Sequence, residues 1–508
     1  MKKHQSSGQT FHSIQNIIKT LKHTSTPPHS TSLLFNLLVD AYTQSRRPQS
    51  ALFYLHRMLG FGLRPSSNTF NNLLLLLLSS PSSSSSSSHL SESLSLFRHA
   101  CSDGRIPLDA RIFNIIISRL CDAAQMAEAL RLKTHFLRGG GAPNLVMYTT
   151  LIDGHSKGGG GGGSAESARQ LFDEMREVGL SPNEFAYTAM MNVYFRKGLR
   201  KEGMQLYEEM KSAGVVPNLH TFNSLMTEHA RGTRIVDLDP AFRIFDEMRQ
   251  RGFVPNAVTF NILIGGLCRR RKLKDAQMFV ERMRKEGLSP SIVTFNLLMD
   301  GFCKAGRMGD AVKLLDEMRA GGLSPTVITY NVLVAGFCRS GDLAGAASAF
   351  KEMKGRGLIP SRVTYTILID ALARDGDTER ALEMHRAMER CLGIRGDAHS
   401  YGALIHGLCR KGDMKAAVNV FRSMPTMMMK PPNNVIYDTL IHGYCGEGRS
   451  FRAVKLMEEM RGQGMVPNAG SYAHTIRLLR KEGKSREAEE LLHHQMHAAA
   501  GFSRNESI

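Results

Sequence analysis

An all-α solenoid of about thirteen helix-turn-helix repeats, each 35 residues long, is the fold the sequence predicts, and three observations predict it. The chain has 508 residues, too many for one compact core, so it is either several domains or an array whose core grows with its length. Prolines then mark a beat. Pro182, Pro217, Pro255, Pro290, Pro325, Pro360, Pro432 and Pro467 are separated by 35, 38, 35, 35, 35, 72 and 35 residues, the 72 being two periods with the middle proline missing. Between prolines the same phrase returns: Val293 to Cys303 reads VTFNLLMDGFC, Ala305-Gly306-Arg307 is a turn, and Ala311 to Arg319 reads AVKLLDEMR. Apolar residues three and four apart in each half give two amphipathic helices. A helix of about a dozen residues is unstable alone, so stacking between repeats must hold the array together.

Taken in order, residues 1–31 come first as a segment apart. The first 39 residues hold no Asp or Glu, but hold Lys2, Lys3, Lys19 and Lys22 among Ser, Thr and His, which resembles an organelle transit segment. The array follows over residues 32–503, with repeats beginning at Ser32, Ser67, Ala110, Leu145, Glu184, Leu219, Ala257, Ile292, Val327, Arg362, Ala398, Asn434 and Ala469, and residues 504–508 form a tail. Insertions are placed in turns: the serine tract Ser82 to Ser88 lengthens the second repeat and Gly158 to Gly163 the fourth. Those glycines lack the preceding strand and following Lys-Ser/Thr of a phosphate loop and read as a low-complexity loop.

Composition narrows the function. With 65 Lys+Arg against 46 Asp+Glu the net charge is +19, which points to a polyanion. No window reaches the eighteen apolar residues a spanning helix needs, so no membrane role is expected. Cys121, Cys268, Cys303, Cys338, Cys409 and Cys445 share one position late in the first helix of their repeats. Without a C-x-x-C pair they read as small packing residues, and neither metal, cofactor nor disulfide is expected. Met175, Met210, Met248, Met283, Met318 and Met353 recur in the second helix as core.

One polar position interrupts the apolar face of the first helix. Asn36, Asn71, Asn114, Thr149, Thr188, Asn223, Asn261, Asn296, Asn331 and Thr366 each follow an aromatic residue. Capping could explain one such residue but not ten, several residues inside a helix. Eight residues further on stand Lys157, Arg196, Arg231, Arg269, Lys304, Arg339, Arg374, Arg410 and Lys481. A cation there suits the helix dipole, and the row also makes a ladder suited to phosphates.

The phrase Val-Thr-Tyr-Asn, Gly-Phe-Cys-Arg, Glu-Met and Gly-Leu-x-Pro, nearly intact from Val327 to Pro360, resembles the pentatricopeptide repeat family, in its pure form without interspersed longer and shorter repeats. The resemblance spans about residues 32 to 503 and implies a right-handed superhelix that binds single-stranded RNA, one base per repeat. It makes the polar position a base specifier, paired with the residue that closes the repeat: Ser66, Asp109, Asn144, Asn183, Asn218, Asn256, Ser291, Thr326, Ser361 and Asp397, followed by Asn433 and Asn468 in the last repeats. Val146, Phe185, Val258, Val293, Ile328, Val363 and Val435, three residues before the specifier, resemble family residues that sandwich bases, although packing between repeats would explain each singly.

Hydrogen-bond chemistry agrees with such a pairing. Asp only accepts and suits U or G, whereas Asn, Ser or Thr can donate to the ring nitrogen of C or A; a compact Thr specifier leaves room for a purine. With the amino-terminal repeat at the RNA 5′ end, as in the family, the first ten repeats read 5′-CUYAAYCYCG-3′, Y being a pyrimidine. Gly402, Asp438 and Ala473 depart from the pattern. The implied role is a monomeric protein that binds an organellar transcript in RNA processing, stabilisation, splicing or translation, with other processing factors as partners. Mitochondrion is the expected location and chloroplast the alternative. No enzymatic activity is expected, since the five residues after Ser503 hold no H-x-E…C-x-x-C zinc signature. The competing function is a helical scaffold for proteins, which would need exposed apolar anchors.

Overall fold

The structure is a computed structural model and describes residues 28–79, 93–97, 110–138, 141–157, 164–231, 238–392, 396–427 and 433–505. The candidate transit segment up to residue 27, the serine tract, the six-glycine loop and Asp109 lie outside the described residues. Among the described residues every regular element is a helix. They form two compact units, Met1–Glu228 and His229–Ile508.

Within each unit the helices alternate in two roles. The first helix of the eighth repeat is Ile292–Lys304 and its second is Met308–Ala320; the ninth repeat continues with Val327–Ser340 and Leu343–Gly355. First helices begin at twelve of the thirteen residues given above, from Ser67 to Ala469. The first repeat differs. Its helix, Pro28–Gln44, starts four residues before Ser32, because Pro28 already supplies the fixed φ of a first helical residue and has no N–H to leave unpaired.

Turn chemistry stops each helix. After the second helix of the seventh repeat, Gly287 sits at φ 79° and Leu288 N donates to the Met283 carbonyl at 3.0 Å, a left-handed cap that suits glycine. The turn inside a repeat usually has the same device, as at Gly306 (φ 77°). Arg46, Ala124 and Arg271 occupy that position with φ of 53°, 58° and 59°, so three repeats carry a side chain where the backbone disfavours one.

Stacking explains the recurrent small residues. First helices pack on their own second helices and on the first helices of neighbouring repeats. A Cβ on Gly336 would lie 2.5 Å from Cys303 Sγ, one on Gly154 would lie 2.4 Å from Cys121 Sγ, and one on Gly443 would meet Cys409 Sγ at 2.8 Å. Each cysteine thus fills the notch left by the glycine of the next repeat. Burial pushes the thiols up, Cys303 and Cys338 to about 11 and Cys268 and Cys409 to about 12, as suits small packing groups. Met175, Met210, Met248, Met283, Met318 and Met353 are fully buried, each contributing about 1.5–3 kcal/mol relative to exposure.

Polar ties join successive repeats as well. Arg319 Nη2 donates to Tyr330 OH at 3.0 Å and to Glu352 Oε1 at 2.5 Å, linking the second helix of the eighth repeat to both helices of the ninth. Arg176, Tyr187 and Glu209 repeat the arrangement in the first unit. Lys133 does so with Glu174 at 2.6 Å, and Tyr148 OH donates to the same carboxylate at 2.9 Å.

Candidate nucleic-acid interface

Within each unit the first helices carry the polar position, and their caps carry the partner. Every described closing residue is an N-cap. Asn144 Oδ1 accepts from Met147 N at 2.9 Å, Asn183 from Ala186 N at 3.0 Å, Asn218 from Thr221 N at 2.9 Å, and Asn256 from Thr259 N at 3.0 Å. Ser66, Ser291, Thr326, Ser361 and Asp397 cap through Thr69, Thr294, Thr329, Thr364 and Ser400 in the same way, and Asn433 and Asn468 cap the last two first helices. Capping, set aside above for the specifiers, therefore belongs to their partners. It explains the polarity of the closing residues without any ligand.

In three repeats the polar position and the closing residue are bonded directly. Asn36 Oδ1 accepts from Ser66 N at 2.9 Å, Asn114 Nδ2 donates to Asn144 Oδ1 at 3.5 Å, and Asn331 Nδ2 donates to Ser361 Oγ at 3.4 Å. Thr149 and Thr188 instead donate back to the carbonyls of Leu145 and Glu184 at 2.8 and 2.6 Å, and Thr188 Oγ1 also lies 2.7 Å from Thr221 Oγ1. Asn71 Oδ1, Asn114 Oδ1, Asn296 Oδ1 and Thr366 Oγ1 are buried and have no hydrogen-bond partner. A buried acceptor left unpaired costs about 1–3 kcal/mol, so its recurrence at one position is informative.

The residues three before the specifier do not pack between repeats. Val146, Phe185, Val258, Val293, Ile328, Val363 and Val435 are 53–67% exposed, on the same helices whose neighbouring apolar residues are buried. Sequence reasoning missed one more: Leu33, 62% exposed, holds this place before Asn36, and counting back three residues would have found it. His220 and His399 hold it in the sixth and eleventh repeats and are also exposed.

The cation row is less free than its spacing suggested. Arg196, Arg231, Arg269, Lys304, Arg339, Arg374 and Arg410 are exposed, whereas the Lys157 side chain lies outside the described residues. Arg196 donates to the Ser156 carbonyl at 3.1 Å, Arg269 to Ala230 at 3.3 Å and Arg410 to Arg374 at 3.2 Å, each at the carboxyl end of the preceding first helix. Lys304 pairs with Asp300 at 2.5 Å and Arg374 with Asp370 at 2.9 Å. Part of the row is a helix-end device, with only its remaining N–H groups turned to solvent. Among the described residues no group of three or more His, Cys, Asp or Glu could hold a metal ion, and no helix is long and apolar enough to cross a membrane.

Comparison with known proteins agrees with the repeat phrase. The profile of the PPR repeat family matches residues 182–231, 235–269, 255–304, 290–339, 325–374, 363–410 and 432–481; that of the pentatricopeptide repeat domain matches 131–194, and that of the PPR repeat matches 34–63 and 399–427. The chain belongs to the pentatricopeptide repeat family. A pentatricopeptide repeat-containing protein of Arabidopsis thaliana is 43% identical over 117 residues, which are 23% of this chain and 19% of that protein. The crystal structure of the pentatricopeptide repeat protein PPR10 from maize is similar with a TM-score of 0.60 and 23% identity, over 93% of this chain and 69% of that one.

Proposed function

We propose that the exposed face of the first-helix layer binds single-stranded RNA, one base per repeat, with 5′-CUYAAYCYCG-3′ as its target. The observation that carries this is the recurrence of a polar residue with an exposed apolar side chain three residues before it, at Asn36/Leu33, Thr149/Val146, Thr188/Phe185, Asn261/Val258, Asn296/Val293, Asn331/Ile328 and Thr366/Val363. Such a pair offers a base one edge to bond and one apolar surface to lie against. Cations at the helix ends add attraction for phosphates. That maize PPR10 has also been solved with an 18-nucleotide RNA element is in keeping with the reading.

On this reading the protein catalyses no reaction and acts as a monomer in processing, stabilising, splicing or translating an organellar transcript, alongside other processing factors. Residues 1–31 would direct it to the mitochondrion, or alternatively to the chloroplast. A protein scaffold is the second reading, favoured by a different set of exposed residues just before the prolines: Val216, Val254 and Ile359.

Titrating the full chain with a labelled decamer, 5′-CUUAACCUCG-3′, tests the proposal against a scrambled decamer and the same sequence as DNA. Preferential binding of the target RNA is expected, with a salt slope shallower than the roughly −6 that all nine cations of the row would give if each met a phosphate of a single strand. Indifference among the three would contradict a base code, and no binding at low salt would favour the scaffold.

A further inference from the structure

The third residue of each first helix is Thr or Ser in most repeats, and it is buried: Thr294, Thr329 and Thr364 are fully inaccessible. In the ninth repeat this hydroxyl, supplied by the tenth, completes a ring. Asn331 Nδ2 donates to Ser361 Oγ at 3.4 Å, Ser361 Oγ and Thr364 Oγ1 are 3.1 Å apart, and Thr364 Oγ1 donates to Asn331 Oδ1 at 2.6 Å. The proton count closes, because Thr364 Oγ1 accepts from Ser361 N at 3.0 Å and has one proton to give, leaving Ser361 to donate its own to Thr364. Rings of this kind strengthen each member bond.

We propose that this buried hydroxyl, belonging to the following repeat, is a third specificity-determining residue that sets whether an Asn specifier reads cytosine or admits uracil. The inference rests on the RNA reading above. An Asn whose Oδ1 already accepts a short bond from a buried hydroxyl presents its free amide N–H to a base edge, and the ring nitrogen of cytosine accepts whereas that of uracil carries a proton. Asn261 is held likewise, with Thr294 Oγ1 donating to its Oδ1 at 2.7 Å. Asn36 is held by Ser66 N. These are the three repeats the code assigns to C. In Asn71, Asn114 and Asn296, assigned to U or to either pyrimidine, Oδ1 is buried and has no partner, an acceptor left to be satisfied by the N–H of uracil once the base is seated.

The eighth repeat supplies the control. Thr329 makes the same cap bonds to Thr326, at 3.1 and 3.4 Å, as Thr364 makes to Ser361, yet Asn296 Oδ1 has no partner. Thr364→Val and Thr329→Val therefore remove the same cap bond and differ only in what they do to a specifier. Each variant of the full chain is titrated with 5′-CUUAACCUCG-3′ and with decamers exchanging C and U at base eight or base nine. The wild type is expected to favour C at base nine by roughly tenfold, the penalty for one mispaired buried polar group. Thr364→Val should bring that ratio close to one, Thr364→Ser should keep it, and Thr329→Val should leave the ratio at base eight unchanged. Retained discrimination of A from C at bases four and five shows that each variant is folded. A C preference at base nine that survives Thr364→Val, or an equal shift at base eight from Thr329→Val, overturns the proposal. A wild type that binds no RNA overturns the RNA reading and this inference together, an outcome distinct from an unchanged ratio.

Discussion

The seventh to ninth repeats and the last three share a scaffold and differ in what they offer a ligand. In both regions a glycine of one first helix receives a small side chain of the one before: Gly301 and Gly336 receive Cys268 and Cys303, while Gly407 and Gly443 receive Ala373 and Cys409. In both, a polar closing residue caps the next helix. At the specifier position the regions part. Asn261, Asn296 and Asn331 are half-buried amides, whereas Gly402 and Ala473 have no polar side chain, and Asp438 is buried with Oδ1 accepting from Ser471 Oγ at 2.6 Å and Asn468 N at 3.2 Å. Stacking is therefore separable from the polar position, and on the RNA reading proposed above these last repeats would lengthen the array without reading a base.

Two glycines in the same kind of helix sharpen that separation most. Gly336→Ala would push a methyl into Cys303 and Met308 and should destabilise the protein by about 1–3 kcal/mol in a denaturant titration. Combining it with Cys303→Ala should recover part of the loss, as expected for residues in contact. Gly402→Ala has nothing closer than Ile436 Cγ1 at 3.8 Å, and should instead gain up to about 1 kcal/mol of helix propensity. Equal effects at the two sites would break the comparison.

Converting a silent repeat is the next largest effect. Gly402→Asn, with Asn433 as its closing residue, should let the eleventh repeat prefer a pyrimidine after the decamer, giving up to roughly tenfold tighter binding to an eleven-nucleotide RNA ending in U than to one ending in A. No preference would mean that the eleventh repeat lies beyond the RNA path.

Acid should weaken both units. Burial holds the imidazoles of His155, His385 and His442 below their ordinary range, with Lys197 adding to the effect at His155 and His474 at His442. The unfolded chain then takes up protons first, so the stability these residues provide is present above about pH 6.5 and is lost as the pH falls towards their lowered folded values. His155, whose ring nitrogens have no partner, stands where other repeats have Leu120, Phe302 or Leu372. His155→Phe should reduce the acid sensitivity measured by denaturation at pH 7.5 and 5.5, and an unchanged profile would remove His155 from this account. The smallest effect expected is at Ala124, where Ala124→Gly relieves a left-handed alanine and should stabilise by about 1 kcal/mol.

Much of this was legible in the sequence because an array repeats its instructions. The proline beat and the polar position located the first helices to the residue in twelve repeats, since capping and turn residues act locally. What was not legible depends on contacts between repeats. The cysteines could be ranked as packing residues, but their glycine partners lie some thirty residues away. The cations looked uniform in spacing, yet Arg196, Arg269 and Arg410 reach carbonyls of the preceding repeat while Lys304 and Arg374 bond within their own helix. The closing residues were assigned to a base and prove to be caps as well. Asp438 gave no sequence sign that its carboxylate would be turned inward.

The most direct test of the account exchanges specifier and base together. Wild-type protein and a Thr149→Asn, Thr188→Asn double variant are titrated with 5′-CUUAACCUCG-3′ and with the RNA carrying C at bases four and five. The account predicts that the wild type favours A at both positions and that the variant reverses the preference. Loss of affinity for both RNAs alike, or a preference that ignores the two substitutions, would contradict a one-base-per-repeat interface on this face.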